Sequence, residues 1–63
     1  MDLYDLEPGD RVRLADASIA EVVAATEDGR AILVRYVESH DRARLGTERL
    51  CSEDEVEERV EIY

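Results

Sequence analysis

The sequence has no lysine, no tryptophan and no phenylalanine, and only one cysteine, one proline and one histidine. Each scarcity excludes something. With Cys51 alone, no intrachain disulfide can staple the fold, so a reducing, cytoplasmic setting is the expectation. The aromatics are Tyr4, Tyr36 and Tyr63. That set is poor for stacking bases, and too sparse for a methyl-lysine cage. No apolar run approaches the ~18 residues of a membrane span. The acidic start, Met1-Asp2-Leu3-Tyr4-Asp5, lacks the basic region of a signal peptide, so neither a membrane nor an exported setting is expected.

Catalytic and metal motifs are also missing. His40 and Cys51 form the one conceivable thiolate–imidazole pair, but no third orienting residue or glycine-rich nucleophile turn stands near either. Zinc would want four ligands at recognisable spacing, and His40, Asp41 and Cys51 do not supply them. The run Glu53-Asp54-Glu55-Val56-Glu57-Glu58 lacks the alternating oxygen ligands around a glycine turn that a calcium loop needs. The expectation is a non-enzyme with no cofactor and no metal.

What is present is charge. Seventeen acidic residues face eight basic ones, giving a net charge of −9. All eight basic residues are arginine. Broad binding to a phosphate backbone wants a net positive face and is disfavoured. The acidity fits a surface that attracts cationic partners, or a chain adapted to a high-salt cytoplasm with an arginine-favouring codon usage. The second reading is preferred. In molar salt the Debye length shrinks to ~3 Å and net charge says little about partners.

Sixty-three residues make one domain, 1–63, with 1–7 as an N-terminal extension. Such a chain buries only about 60% of its unfolded surface, so it is marginal alone. Pro8-Gly9-Asp10 signals a turn. Arg11-Val12-Arg13-Leu14 alternates as a half-buried strand does. Ala15-Asp16-Ala17-Ser18 reads as a turn without glycine. Residues 19–26 are β-branched enough for a strand, although Ala20, Glu21, Ala24 and Ala25 would tolerate a helix. Asp28-Gly29 within 27–30 is a strong hairpin signal, and 31–37 is the clearest strand. Residues 38–46 form the longest loop, with Leu45 tucked inward. A short strand over 47–51 follows. Ser52 and Glu55 fit a capping box, and Cys51 and Val56 a hydrophobic staple, so one or two helical turns are expected. Residues 59–63 alternate as a closing strand. The rival is a helix from 53 to the end, which Val56, Val60 and Tyr63 also fit.

This order resembles the SH3-like small β-barrel superfamily, with its KOW and Tudor-like modules. The resemblance rests on Pro8-Gly9-Asp10-Arg11-Val12-Arg13-Leu14, Ile19-Ala20-Glu21-Val22-Val23 and Ala31-Ile32-Leu33-Val34-Arg35-Tyr36, and spans roughly 8–62. Where KOW-like segments carry glycine before the second strand, Ala17-Ser18 stand here. The resemblance implies a mainly β fold: a small five-stranded SH3-like barrel with a short helical turn near the C-terminus.

Alternation assigns Val12, Leu14, Val22, Ile32, Val34, Tyr36, Leu50, Val60 and Ile62 to the core. Val23, Leu33 and Val37 are left as a surplus apolar set, available to the N-terminal segment or to another copy. The same parity sends Arg11, Arg13, Arg35 and Arg49 outward. Arg42 and Arg44 in the loop would extend that strip. It suits phosphates or an acidic protein segment. Equally, Glu21, Glu48 and Glu61 are interleaved to neutralise it in cross-strand pairs. The expected function is a binding or adaptor module, contacting protein or nucleic acid through the arginine strip or through a groove between the 38–46 loop and the 27–30 turn. Tyr4 and Tyr63 are placed to flank a groove. The alternative is a structural or oligomerisation domain, monomeric or weakly dimeric.

Overall fold

The computed structural model describes residues 3–60. Five strands form one antiparallel sheet: β1 (Arg11–Leu14), β2 (Ile19–Ala25), β3 (Ala31–Glu38), β4 (Glu48–Ser52) and β5 (Val56–Val60). Their spatial order is β4-β3-β2-β1-β5. Three single 3-10 turns, Leu3–Asp5, Arg42–Arg44 and Glu53–Glu55, complete the elements. The mainly β fold and the five strands agree with the sequence reading.

Barrel closure does not. The two edge strands, β4 and β5, are not paired with each other. The sheet is nevertheless strongly curled. Only residues 53–55 join β4 to β5, so Ser52 and Val56 are at most about 14 Å apart along extended chain. Four strand spacings across a flat sheet come to about 19 Å. The sheet must bend until its edges converge at the 53–55 turn. There the Ala15 N–H donates to the Glu55 carbonyl at 2.9 Å.

The concave side holds the core: Leu3, Leu6, Val12, Leu14, Ala20, Val22, Ile32, Val34, Tyr36, Cys51 and Val56. β1, β2 and β3 contribute alternate residues, as a pleated chain with one buried face requires, while β4 gives Cys51 alone and β5 Val56 alone. Leu3 and Leu6, from the segment ahead of β1, are buried in the same cluster. Val60 is half-buried. Ile62, Tyr63 and the side chain of Tyr4 lie outside the described residues.

Two expected core residues are not inside. Leu45 is 45% exposed and Leu50 is 58% exposed. On β4 the register pairs Cys51 with Ile32, Leu50 with Leu33 and Arg49 with Val34. Cross-strand partners share a face, so Cys51 and Arg49 are on the core side and Leu50 is outside. The sequence parity of β4 was off by one residue, which transposes the whole strand.

The surplus apolar set also has a structural cause. Register shifts fall between Val22 and Ala24, and between Ile19 and Ala20. Val23 is the extra residue of the first bulge. Val37, between the partners Tyr36 and Glu38, is the extra residue of the second. A bulge leaves its extra residue unpaired and bends the strand, which is how this short sheet curls.

The expected short helical turn is present, but without the side-chain cap that Ser52 and Glu55 signal. Ser52 makes no side-chain cap hydrogen bond, and only one 3-10 turn forms. The rival helix from 53 onward is absent through residue 60. Val56 must return to pair with Leu14, which leaves no room for an α-turn whose third amide a capping serine would satisfy.

Candidate functional site

The six arginines singled out from the sequence divide between two surfaces. Arg11, Arg13 and Arg35 lie on the convex face. Register places Arg11, Glu21, Arg35 and Glu48 in one row across β1, β2, β3 and β4. Charges along that row alternate in sign. Its last pair closes, with Arg35 Nη2 at 3.2 Å from Glu48 Oε2. Arg13 is held by Glu58 at 3.1 Å and Glu57 at 3.6 Å. Arg11 and Arg42 form no ion pair among the described residues.

Arg49 leaves this set. It projects from the core side of β4 and donates to the Tyr36 hydroxyl at 3.3 Å. It also pairs with Glu55 at 2.9 Å. The Tyr36 hydroxyl first, and Glu55 next, hold its guanidinium more firmly protonated than usual. Arg44 approaches the face of the same ring. Its guanidinium carbon stands 5.9 Å from the Tyr36 centroid, a cation–π distance. Arg44 also contacts Asp16 at 3.3 Å and Asp41 at 3.7 Å.

The loop that delivers Arg44 is locally specified. Asp41 accepts the Ala43 N–H at 3.0 Å and caps the 42–44 turn. Gly46, at φ 79°, donates to the Tyr36 carbonyl, and the Tyr36 N–H donates to Thr47. That is a glycine bulge, in which only a residue tolerant of positive φ fits easily.

Together Tyr36, Arg44, Thr47, Glu48 and Arg49 line a shallow pocket of about 360 Å³. Its two arginines are surrounded by Asp16, Asp41, Glu48 and Glu55. An incoming anion would have to displace a carboxylate already in place. The corner works as a clasp. It ties the long loop to the β1–β2 turn and the 53–55 turn to β4. Asp16 anchors one end: the Ser18 N–H above all, and Arg44, hold its carboxyl below the usual range. Sequence reasoning had no signal for Asp16 or Glu55 as partners. The Arg49–Tyr36 contact was legible only with Cys51 taken as the core residue of β4.

The other expected features are dispersed. The 27–30 turn and the long loop lie at opposite ends of β3, whose rise over Ala31–Glu38 is about 24 Å. They share no groove. His40 is exposed in the loop beyond one end of β3. Cys51 is fully buried beside Ile32 near the other end. Burial first, and Glu55 next, push its thiol up to about 11, so it stays protonated at neutral pH, whereas the thiolate is the nucleophilic form. No three metal-ligating side chains converge among the described residues. No helix among them is long and apolar enough to cross a membrane.

The convex face carries one further feature. Beside the charged row, Ala24, Leu33 and Leu50 form a second cross-strand row. It ends on β4, the edge of the sheet. Leu33 is half-buried, and Leu50 is one of two large apolar residues exposed among those described.

Comparisons with protein-family profiles, with curated proteins and with solved structures return no match to this chain.

Proposed function

We propose that the chain is a non-enzymatic binding module that takes a protein partner on the free edge of β4 and the apolar row beside it. The observation that carries this reading is Leu50, 58% exposed in the middle of an edge strand whose outer side meets no other strand among the described residues. Edge strands offer unpaired N–H and C=O groups to another chain, and an apolar residue there strengthens the offer. The ion pairs of Arg13, Arg35, Arg44 and Arg49 support a protein partner over a nucleic acid, as does the net charge of −9. The arginine strip of Arg11, Arg13 and Arg35 remains the competing surface. A reduced, buried Cys51 suits a cytoplasmic setting.

Amide shift mapping tests the reading. Fractionated native extract protein, duplex DNA and RNA are each titrated into labelled chain at high and low salt. A protein fraction should move the amides of 48–52 and 31–35, and Leu50→Asp should abolish the effect. Shifts produced only by nucleic acid and centred on Arg11, Arg13 and Arg35 would transfer the function to the arginine strip. Amides unmoved by every fraction, and unmoved as the chain's own concentration is raised, would remove it altogether.

A further inference from the structure

We propose that the partner on β4 is a second copy of the same chain, paired antiparallel about a two-fold axis at Leu50. The inference rests on β4 being the docking edge.

Backbone parity comes first. The Tyr36 N–H donates to the Thr47 carbonyl at 3.0 Å. In an antiparallel ladder, alternate residues turn both backbone groups to the same neighbour. Thr47, Arg49 and Cys51 therefore address β3, and Glu48, Leu50 and Ser52 address the open edge. Leu50 is the centre of that edge-facing set.

The two edge strands of the sheet, each paired on one side only among the described residues, differ in kind. β5 presents Glu57, Glu58 and Arg59, all exposed, and Glu57 is the extra residue where its register with β1 shifts. Charge and a bulge are the usual devices that stop an edge from pairing. β4 presents Leu50. Pairing β4 with β5 of another molecule would set that leucine against the charged run. Pairing β4 with itself does not.

Charge then selects the register. Centring the pair on Arg49 would set two arginines directly opposite. Centring it on Cys51 would align only three residues. Centring it on Leu50 aligns all five: Leu50 with Leu50 of the second copy, Arg49 with Cys51, and Glu48 with Ser52. No like charges oppose, which is the condition cross-strand pairs impose. The same register makes a continuous row of four leucines on the convex face, Leu33 and Leu50 from each copy. A two-fold contact of this kind is closed, so it yields dimers and not filaments.

A five-residue edge buries far less than the roughly 800 Å² per partner of a stable complex. The dimer is therefore weak, and it strengthens with salt, because two chains of −9 repel when unscreened. An interface built on ion pairs would weaken instead.

Sedimentation equilibrium of the full chain, from micromolar to millimolar concentration at low and molar KCl, reads the association. Leu50→Asp should weaken it about tenfold or more, by setting two carboxylates opposite at the dyad. Glu57→Ala, on the other edge, should not weaken it. Under mild oxidation Leu50→Cys should give a disulfide-linked dimer, since facing residues at a hydrogen-bonded position stand about 5.5 Å apart at Cα. The parent chain, whose thiol is buried, should stay uncrosslinked. A strictly monomeric chain at millimolar concentration in both salts overturns the self-pairing. So does a dimer that ignores Leu50→Asp and gives no crosslink. The broader protein-binding reading fails separately, when neither the extract titrations nor a rise in the chain's own concentration moves the β4 amides.

Discussion

Ala17 is the one non-glycine residue with positive φ among those described, at 70°. Replacing it with glycine should stabilise the fold. The turn around it is over-determined. Ala17 N–H donates to Leu14 at 2.9 Å, Leu14 N–H donates to Ser18 at 2.8 Å, and Ser18 N–H donates to Asp16 at 3.0 Å. These bonds impose the left-handed conformation, which costs an ordinary L-residue about 1–2 kcal/mol. Glycine removes that strain but adds about 0.4–1 kcal/mol of unfolded-state entropy. Ala17 is exposed, so no packing is lost. The net gain is about 0.5–1 kcal/mol. For a domain of this size 1 kcal/mol moves Tm by about 4–8 °C, so Ala17→Gly should raise it by roughly 2–8 °C. Urea unfolding at fixed salt should show a higher midpoint with an unchanged m-value. Ala17→Val should move the midpoint the other way, because a β-branched residue suffers more at positive φ. An unchanged or lower midpoint for Ala17→Gly would refute the strained-turn argument.

Three further outcomes follow from the core and the charge. Ile32 is fully buried, and Ile32→Ala should cost about 2–5 kcal/mol. That is enough to leave much of a marginal domain unfolded, as circular dichroism would show. The Cys51 thiol is pushed up to about 11 in the fold, against about 8.5–9 when unfolded. The unfolded chain thus loses its proton first as pH rises. Stability should be intact below about pH 8 and fall by about 2 kcal/mol through pH 11, a slope that Cys51→Ala should lack in parallel melts. Seventeen carboxylates on so small a chain should make Tm climb steeply from low to molar KCl. A flat response would return the acidic surface to consideration as a functional feature.

Much of the fold was legible where period-two alternation is clean. Val12 and Leu14, then Ile32, Val34 and Tyr36, announce one buried face with little competition. The turns were legible from their chemistry, including the glycine-less one. Bulges were not. The bulges at Val23 and Val37 each add one residue to one strand and, unlike the one at Gly46, are marked by no residue type. Val23 and Val37 therefore looked like a spare apolar surface when they are bulge residues. Closure was illegible for a related reason. Whether β4 and β5 pair depends on how far the bulges bend the sheet, a sum over the whole chain. The capping box at Ser52 failed because tertiary pairing of Val56 with Leu14 overrode a local helix signal.

The parity of β4 had the widest consequence. Composition offers Leu50 and Cys51 as rival core residues, and leucine is the larger apolar side chain. The choice is made elsewhere. The bulge at Gly46 and Thr47 sets where β4 meets Tyr36. Cys51 then lands on Ile32, at the point where the 53–55 turn brings the sheet edges together. A thiol fits that crowded corner. Arg49, two residues earlier, falls at the rim of the core, where Glu55 and the Tyr36 hydroxyl receive its charge. With the opposite parity, Arg49 would stand beside Leu33 and next to Arg35 on the convex face. The arginine strip would run on to β4, and no apolar residue would reach the edge. The observed parity removes an arginine from the strip and puts a leucine on the edge in the same step. The proposed preference for a protein partner over a phosphate backbone thus traces to a single residue of register.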